Sequence, residues 1–230
     1  MEAIVLAGGF GTRLKTVING VPKPMAMVGD RPFLTFLLSY LKKQGIGRVI
    51  LSTGYRHEVI EQYYGTKFDG IELVYSREEE PLGTGGAVKL ALSMIDNAEK
   101  VFVMNGDTFF PIELMRLAAF HHSNDAEFSL ALKSMQHFDR YGTVETRHGK
   151  ISNFQEKKYV EEGSINGGVY YINRTVFDRF QLPNRFSLEV DLMQKYAKEL
   201  RIYGLHFEDY FIDIGIPEDY LRAQSELAKL

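Results

Sequence analysis

Two acidic residues far apart in the chain stand in the same local setting. Asp107 closes Asn105-Gly106-Asp107 after an apolar run, and Asp213 follows Phe211-Ile212 and precedes Ile214-Gly215. A single acid in such a place often only caps a helix. A pair brought together would suit Mg²⁺, a hard ion that takes carboxylate oxygens and substrate phosphates. Two cations accompany them. Arg13 follows the glycines of Leu6-Ala7-Gly8-Gly9-Phe10-Gly11-Thr12, and Lys23 lies between Pro22 and Pro24, which stiffen the chain around it. Arginine offers phosphate oxygens a planar, permanently charged fork. Charge aimed at a transferring phosphoryl group is the main catalytic tool of that chemistry.

The glycines fit the same reading. Gly8, Gly9 and Gly11 let backbone approach a polyphosphate closely. A dinucleotide fingerprint would need glycine at position 14, where Leu14 stands. A P-loop would need Gly-Lys-Ser/Thr, which Thr12-Arg13 does not supply. A second cluster, Glu80-Pro81-Leu82-Gly83-Thr84-Gly85-Gly86-Ala87, would let backbone amides and carbonyls lie against a flat ligand such as a base. The histidines show no metal-ligand spacing. His121 and His122, being adjacent, point apart on a helix and read as surface residues. The many tyrosines and phenylalanines read as core.

These residues need elements to hold them. Residues 3–7 form an unbroken apolar run, the pattern of a strand buried on both faces. Strands are predicted over 48–52, 71–75 and 101–104, with helices over 33–44, 59–64 and 87–95 between them. That alternation implies a mainly parallel sheet, whose ligands gather beyond the carboxyl ends of its strands. The polar or glycine-rich clusters after Ala7, Tyr75 and Met104 lie at those ends. The later part differs. Strands are predicted over 128–133, 168–172 and 201–206, a hairpin over 142–145 and 151–154 around His148-Gly149, and helices over 188–200 and 218–227. The expected fold is α/β, a Rossmann-like mixed, mainly parallel sheet flanked by helices, with a smaller antiparallel part. One domain is expected over 1–230, with a nucleotide-binding half at 1–125 and a second half at 126–230.

Composition narrows the partners. A net charge of −3 gives no basic excess for nucleic acid. The absence of cysteine excludes disulfides, thiolate zinc sites and cysteine nucleophiles, and is compatible with the cytoplasm, the expected location. No apolar run is long enough to span a bilayer, so no membrane association is expected.

The segment Gly8-Gly9-Phe10-Gly11-Thr12-Arg13-Leu14, followed by Pro22-Lys23-Pro24-Met25, resembles the signature of the sugar-1-phosphate nucleotidyltransferase family. The resemblance covers nearly the whole chain. It implies the nucleotide-diphospho-sugar transferase fold, Mg²⁺ as cofactor held by Asp107 and Asp213, and transfer of a nucleotidyl group to a sugar 1-phosphate. It implies that Leu6, Ala7, Gly8, Gly9, Gly11, Thr12 and Arg13 hold the triphosphate, and that Lys23 contacts phosphate near the reacting centre. Glu80, Pro81, Gly83, Thr84 and Gly85 correspond to the base-reading turn, whose form resembles guanylyltransferases and so implies GTP. Phe154-Gln155-Glu156-Lys157 resembles the family segment in which the carboxylate holds sugar hydroxyls and the lysine the sugar phosphate; Lys158 stands where the family commonly has proline. Asn105, Tyr141, Gly142, Asn166, Gly167 and Glu189 are implied at the sugar, although Glu189 reads equally as an acid favoured in a helix's first turn. The implied acceptor is D-glycero-α-D-manno-heptose 1-phosphate, for bacterial surface polysaccharide such as capsule, S-layer glycan or lipopolysaccharide. Mannose 1-phosphate with GTP, or N-acetylmuramate 1-phosphate with UTP, are the rival pairs, and a non-catalytic binding homologue is the rival of another class. A monofunctional enzyme is expected, with a homodimer left open.

Overall fold

A computed structural model describes residues 1–9 and 20–227; Gly11, Thr12 and Arg13 lie outside the described residues. The first half lays down β1 (Glu2–Leu6), β2 (Met27–Val28), β3 (Arg31–Pro32), α1 (Phe33–Lys43), β4 (Arg48–Thr53), α2 (His57–Tyr64), β5 (Lys67–Phe68), β6 (Ile71–Arg77), α3 (Gly83–Leu92), β7 (Lys100–Asn105), β8 (Thr108–Phe109) and α4 (Leu114–Ser123). The second half adds β9 (Phe128–Phe138), β10 (Val144–Arg147), β11 (Lys150–Phe154), β12 (Val160–Asn173), β13 (Ile202–His206), β14 (Ile212–Asp213) and α5 (Pro217–Glu226).

One ten-stranded sheet runs through both halves, in the order β10-β11-β13-β9-β12-β7-β1-β4-β6-β5. Around β1 it is parallel: β1 pairs with β4 and β7, and β4 with β6. These short strands are buried along their interiors and carry there the apolar runs that two covered faces require. Past β7 the sheet turns antiparallel through β12 and β9. The β9–β12 ribbon is much longer than the two predicted strands. Its outer ends are largely polar and part-exposed, and they stay paired with each other from Lys133–Ile165 out to Phe138–Val160. The predicted hairpin is β10–β11, turned by His148 and Gly149, both at positive φ.

Alternate residues of β1 face opposite cores. Ala3 and Val5 join a cluster with α1, α4 and α5, while Ile4 joins one with α3 and residues 188–193. Two helical expectations change. The helix predicted over 188–200 is a single π-helical stretch, Leu188–Gln194, which Ser187 caps by accepting the Val190 N–H at 3.2 Å. The helix predicted over 87–95 is α3, which begins four residues earlier, at Gly83, and takes in the last glycines of the cluster. Helix α4, not predicted, buries Leu114, Leu117, Ala118 and His121 at helical spacing. His121 is therefore not the surface residue expected. It is wholly buried, and its ring nitrogens lie 2.9 Å from Ser129 Oγ and 3.1 Å from Asn173 Oδ1. Those two partners supply the hydrogen bonds that a buried imidazole needs. His122 is exposed, as expected.

Candidate active site

The carboxyl ends of β1, β4, β6 and β7 open on a cavity of about 470 Å³. Its walls include Leu6 at the end of β1 with Gly8 and Gly9 after it, Gly54 and Tyr55 after β4, Glu78 to Pro81 with Gly83 and Thr84 after β6, and Asn105 at the end of β7 with Asp107 after it. Parallel strands end level with one another, so their loops share one rim. Ala7 lies just beneath, buried, its N–H donated to Ser52 O at 2.7 Å. A second cavity, of about 190 Å³, adjoins it and is lined by Tyr141, Gly142, Gln155, Lys157, Asn166, Glu189 and Asp213, among others. Asn105 lines both.

The two distant aspartates meet where the cavities join. Gly106 N–H is donated to Leu6 O at 2.9 Å, which turns the chain after β7 and brings Asp107 to the rim. The two-residue ladder β14–β8 then sets Asp213 opposite Thr108, and Ile214 N–H is donated to Asp107 O at 3.0 Å. Lys23, from a short 3₁₀ turn at Lys23–Met25, inserts its ammonium here, 2.6 Å from Asp107 Oδ2 and 3.6 Å from Asp213 Oδ1. The lysine side chain is 12% exposed and the aspartates 37% and 22%, so the cluster is sheltered but open on the Asp107 side.

The electrostatics follow from that placement. Burial, and after it the negative charge of Asp107, pushes the Asp213 carboxyl above its ordinary range; Lys23, the Gly215 N–H and Arg140 pull the other way. The Gly215 N–H is donated to Asp213 Oδ1 at 2.7 Å. A side chain at 215 would put Cβ 2.9 Å from that oxygen and 3.2 Å from the lysine ammonium, so it would push the pair out of this arrangement. Two carboxylates flanking one cation form a hard-oxygen donor set of the kind Mg²⁺ accepts when substrate phosphates complete its shell. Among the described residues no group of three or more acidic or histidine side chains converges to hold a metal unaided.

The turn after β6 is held from both sides. Glu78 accepts the Leu82 N–H at 2.9 Å and so braces the turn. Glu79 and Glu80 are exposed along the cavity wall. From below, Gly85 N–H is donated to Phe186 O and Phe186 N–H to Leu82 O, both at 3.0 Å, and Thr84 Oγ1 accepts the Leu188 N–H at 2.9 Å. Gly85 thus packs against Phe186 and does not line the cavity, unlike Gly83 and Thr84.

In the second cavity Asn166 organises the wall. Its Nδ2 donates to Tyr170 Oη at 2.8 Å and to Glu189 Oε1 at 2.9 Å, while its Oδ1 accepts the Gly168 N–H at 3.0 Å. The amide is thereby fixed, and Glu189 is held by it. Lys157 reaches the lining, whereas Glu156 is exposed and outside it. Gly167 lies beneath, against the Phe110 ring. Sequence reasoning missed Gly54, Tyr55, Glu78 and Glu79 at the first cavity and Arg140 at the second. Their signal was positional: all but Arg140 directly follow a buried parallel strand.

The chain resembles known proteins along its whole length. Residues 2–229 match the sequence model of the nucleotidyl transferase family. The D-glycero-alpha-D-manno-heptose 1-phosphate guanylyltransferase of Aneurinibacillus thermoaerophilus is 50% identical over 227 residues, covering 99% of this chain and 98% of that protein. The enzyme of the same name from Campylobacter jejuni is 49% identical over 96% of this chain and 97% of its own. Among solved structures, HddC from Yersinia pseudotuberculosis complexed with GMP-PN superposes with a TM-score of 0.85 at 33% identity, covering 98% of this chain and 99% of that one.

Proposed function

This chain belongs to the nucleotidyl transferase family, and on that premise we propose that it transfers GMP from GTP to D-glycero-α-D-manno-heptose 1-phosphate, releasing pyrophosphate. The observation that carries the reading is the placement of the Lys23 ammonium 2.6 and 3.6 Å from Asp107 and Asp213, where two cavities of different character meet. A reaction that joins two phosphorylated molecules needs such a junction of charge between two pockets.

The first cavity is the donor site. The turn at Glu80–Gly83 offers backbone and a carboxylate to a base, and Glu80 is suited to accept from guanine N1 and N2. Glu78 is already engaged by Leu82. Gly8 and Gly9 lie along the polyphosphate, with Gly11, Thr12 and Arg13 of the same loop assigned to it by sequence. The second cavity takes the acceptor. Asn166 and Glu189 meet sugar hydroxyls, Tyr141 and Gly142 form the floor, and Lys157 meets the phosphate; Glu156 is assigned to the sugar by sequence.

Chemistry is a single in-line displacement. A phosphate oxygen of the acceptor attacks the α-phosphorus, the new P–O bond forms, and the bond to the β-phosphate oxygen breaks. The acceptor phosphate is already ionised at neutral pH, so no protein base or nucleophile is needed. Asp107 and Asp213 would hold Mg²⁺, which when bound offsets the charge shared by the attacking and transferring phosphates. Lys23 stands within reach of the same phosphates, and Lys157 holds the attacking one. The protein's share is orientation and fixed charge.

Further reaches of the reading are the cytoplasm as its location, a homodimer as its assembly, and surface polysaccharide, in capsule, S-layer or lipopolysaccharide, as the destination of its product. Among the described residues no helix is long and apolar enough to cross a membrane.

The test is a matrix of GTP, UTP, ATP and dTTP against heptose, mannose, glucose and N-acetylmuramate 1-phosphates with Mg²⁺, read by pyrophosphate release and product mass. The expected outcome is a product with the mass of GDP-heptose, from GTP. Nucleotide binding without turnover for any pair would overturn the reading.

A further inference from the structure

Arg140 is a wall residue of the second cavity, yet its guanidinium is turned toward the chain behind it. One terminal nitrogen, Nη1, forms an ion pair with Asp219 Oδ2, and the other, Nη2, donates to Tyr141 Oη at 3.0 Å. Its Cζ lies 5.3 Å from the Tyr141 ring centroid. Asp219 is buried in the first turn of α5 and is held from its other oxygen by Arg222 Nη1 at 3.0 Å. The same helix ties down the segment just after Lys23: Tyr220 Oη and Gln224 Nε2 both donate to Met27 O at 2.6 Å.

The direction of this chain of bonds is fixed by chemistry. Arginine has donors only, so the Tyr141 oxygen must act as acceptor toward Arg140. Its single proton is then left for the other side, where Asp213 Oδ2 lies 3.4 Å away. Asp213 Oδ1 is already taken by the Gly215 N–H and faces Lys23. The tyrosine therefore addresses the carboxylate oxygen that has no other hydrogen-bond partner among the described residues. At 3.4 Å the bond is long, as bonds of an active site without substrate often are.

We propose that Arg140 is a positioning residue: anchored by Asp219 on the C-terminal helix, it aims the Tyr141 hydroxyl at Asp213 Oδ2 and so fixes the orientation of that carboxylate at the junction of the two pockets. The inference deepens the nucleotidyl-transfer reading and rests on Asp213 serving there as a ligand of a divalent ion. Arg140 touches neither reacting atom. Its influence passes through Tyr141.

Arg140→Met keeps the aliphatic length and removes every donor; Tyr141→Phe keeps the ring and removes the relay's proton. Both are tested in the full-length protein, singly and together. Mn²⁺ binding with GMP-PNP, read by electron paramagnetic resonance without acceptor, gives a measure independent of turnover. Coulomb's law alone predicts that removing a positive charge near the site tightens Mn²⁺ binding. Positioning predicts the opposite. Each single variant should weaken Mn²⁺ binding about tenfold, the effect of losing one hydrogen bond to a charged group. The double variant should be no worse than the poorer single one, because both break one chain. In the heptose 1-phosphate assay kcat should fall with the metal affinity, while acceptor KM stays within about twofold of wild type. Unchanged or tighter Mn²⁺ binding in Arg140→Met, or losses that add in the double variant, would overturn the relay. A wild-type protein that binds Mn²⁺ and GMP-PNP yet releases no pyrophosphate with any acceptor would sink the catalytic reading, while the Mn²⁺ comparison still decides the relay.

Discussion

The cavities proposed for donor and acceptor lie side by side and are built on opposite plans. The donor cavity is made of turns. Four parallel strands end at one rim, and the residues that line it cluster at those strand ends, in the turns after them and at the start of α3. Gly8, Gly9, Gly54 and Gly83 are among them. The acceptor cavity is made of side chains drawn from an antiparallel ribbon, a hairpin, a π-helical turn and the segment before α5. No shared strand end aligns them. Each must be held by its own partner, as Asn166 holds Glu189. A site of turns is written in short local motifs, whereas a site of side chains is written in residues that are individually ordinary.

The comparison is sharpest at the seam, where Asp107 comes from the first plan and Asp213 from the second. Asp107→Ala should lower kcat by about three orders of magnitude or more, since on the proposed reading it removes one of the two carboxylates that would hold the metal, and with it the nearer partner of Lys23. The thermal midpoint should stay within a few degrees, because the side chain is partly exposed and packs against little. Near-normal Mg²⁺-dependent turnover in that variant would show that the seam is structural.

Next in size is a contrast between the two plans. Glu189→Gln should lower kcat/KM for the acceptor by roughly ten- to a hundredfold while leaving KM for GTP near its wild-type value. Glu80→Gln should do the reverse, raising KM for GTP and narrowing the preference over UTP. Both substitutions keep size and remove charge. If each disturbed both substrates equally, the two cavities would form one site whose division into halves is only geometric.

That division explains what could be read in advance. The parallel half was legible because its central strands carry unbroken apolar runs with a glycine or a polar residue directly after them: Ala3 to Ala7 before Gly8, Val101 to Met104 before Asn105. Lys23 and the aspartates were legible as types, but nothing along the chain states that one ammonium stands between both carboxylates. That depends on the β14–β8 ladder, two residues long and below any periodic signal. Arg140 was missed for the same reason, since its meaning lies in a contact with Asp219, 79 positions away. His121 was misread because adjacency says only that two side chains diverge on a helix. Which of them faces the core is set by Leu114, Leu117 and Ala118 on the same face, in a helix that was not anticipated.

A smaller effect should come from the turn that joins the plans from below. A Cβ at position 85 would lie 2.1 Å from the Phe186 ring, and that ring belongs to the segment leading into the acceptor side's π-helical turn. Gly85→Ala should therefore cost about 1–3 kcal/mol of stability through overpacking, measured by urea unfolding. It should also weaken GTP binding, because the displaced turn is the one proposed to face the base. Unaltered stability with weakened GTP binding would mean that Gly85 meets the nucleotide directly, as the sequence suggests, and that the turn rather than the glycine moves to allow it.

The smallest effect should come from His121, a polar stitch between the halves. It sits on α4 and bonds to Ser129 on β9 and Asn173 on β12. Burial lowers its pKa below the ordinary histidine value of 6.5. The sign follows directly. Below about pH 6.5 the unfolded chain takes up a proton at this position while the folded chain resists it, so the stabilisation present at higher pH is lost as pH falls toward the lowered folded value. The slope from this group is at most about 1.4 kcal/mol per pH unit. His121→Gln cannot titrate, so its stability deficit relative to wild type, measured by urea unfolding at pH 8 and again at pH 5.5, should narrow at the lower pH. The exposed histidines are common to both proteins and cancel in the difference. A deficit that stays constant or widens would mean that the folded protein accepts the proton here, and that the seam between the turn-built and side-chain-built halves opens readily enough to let it in.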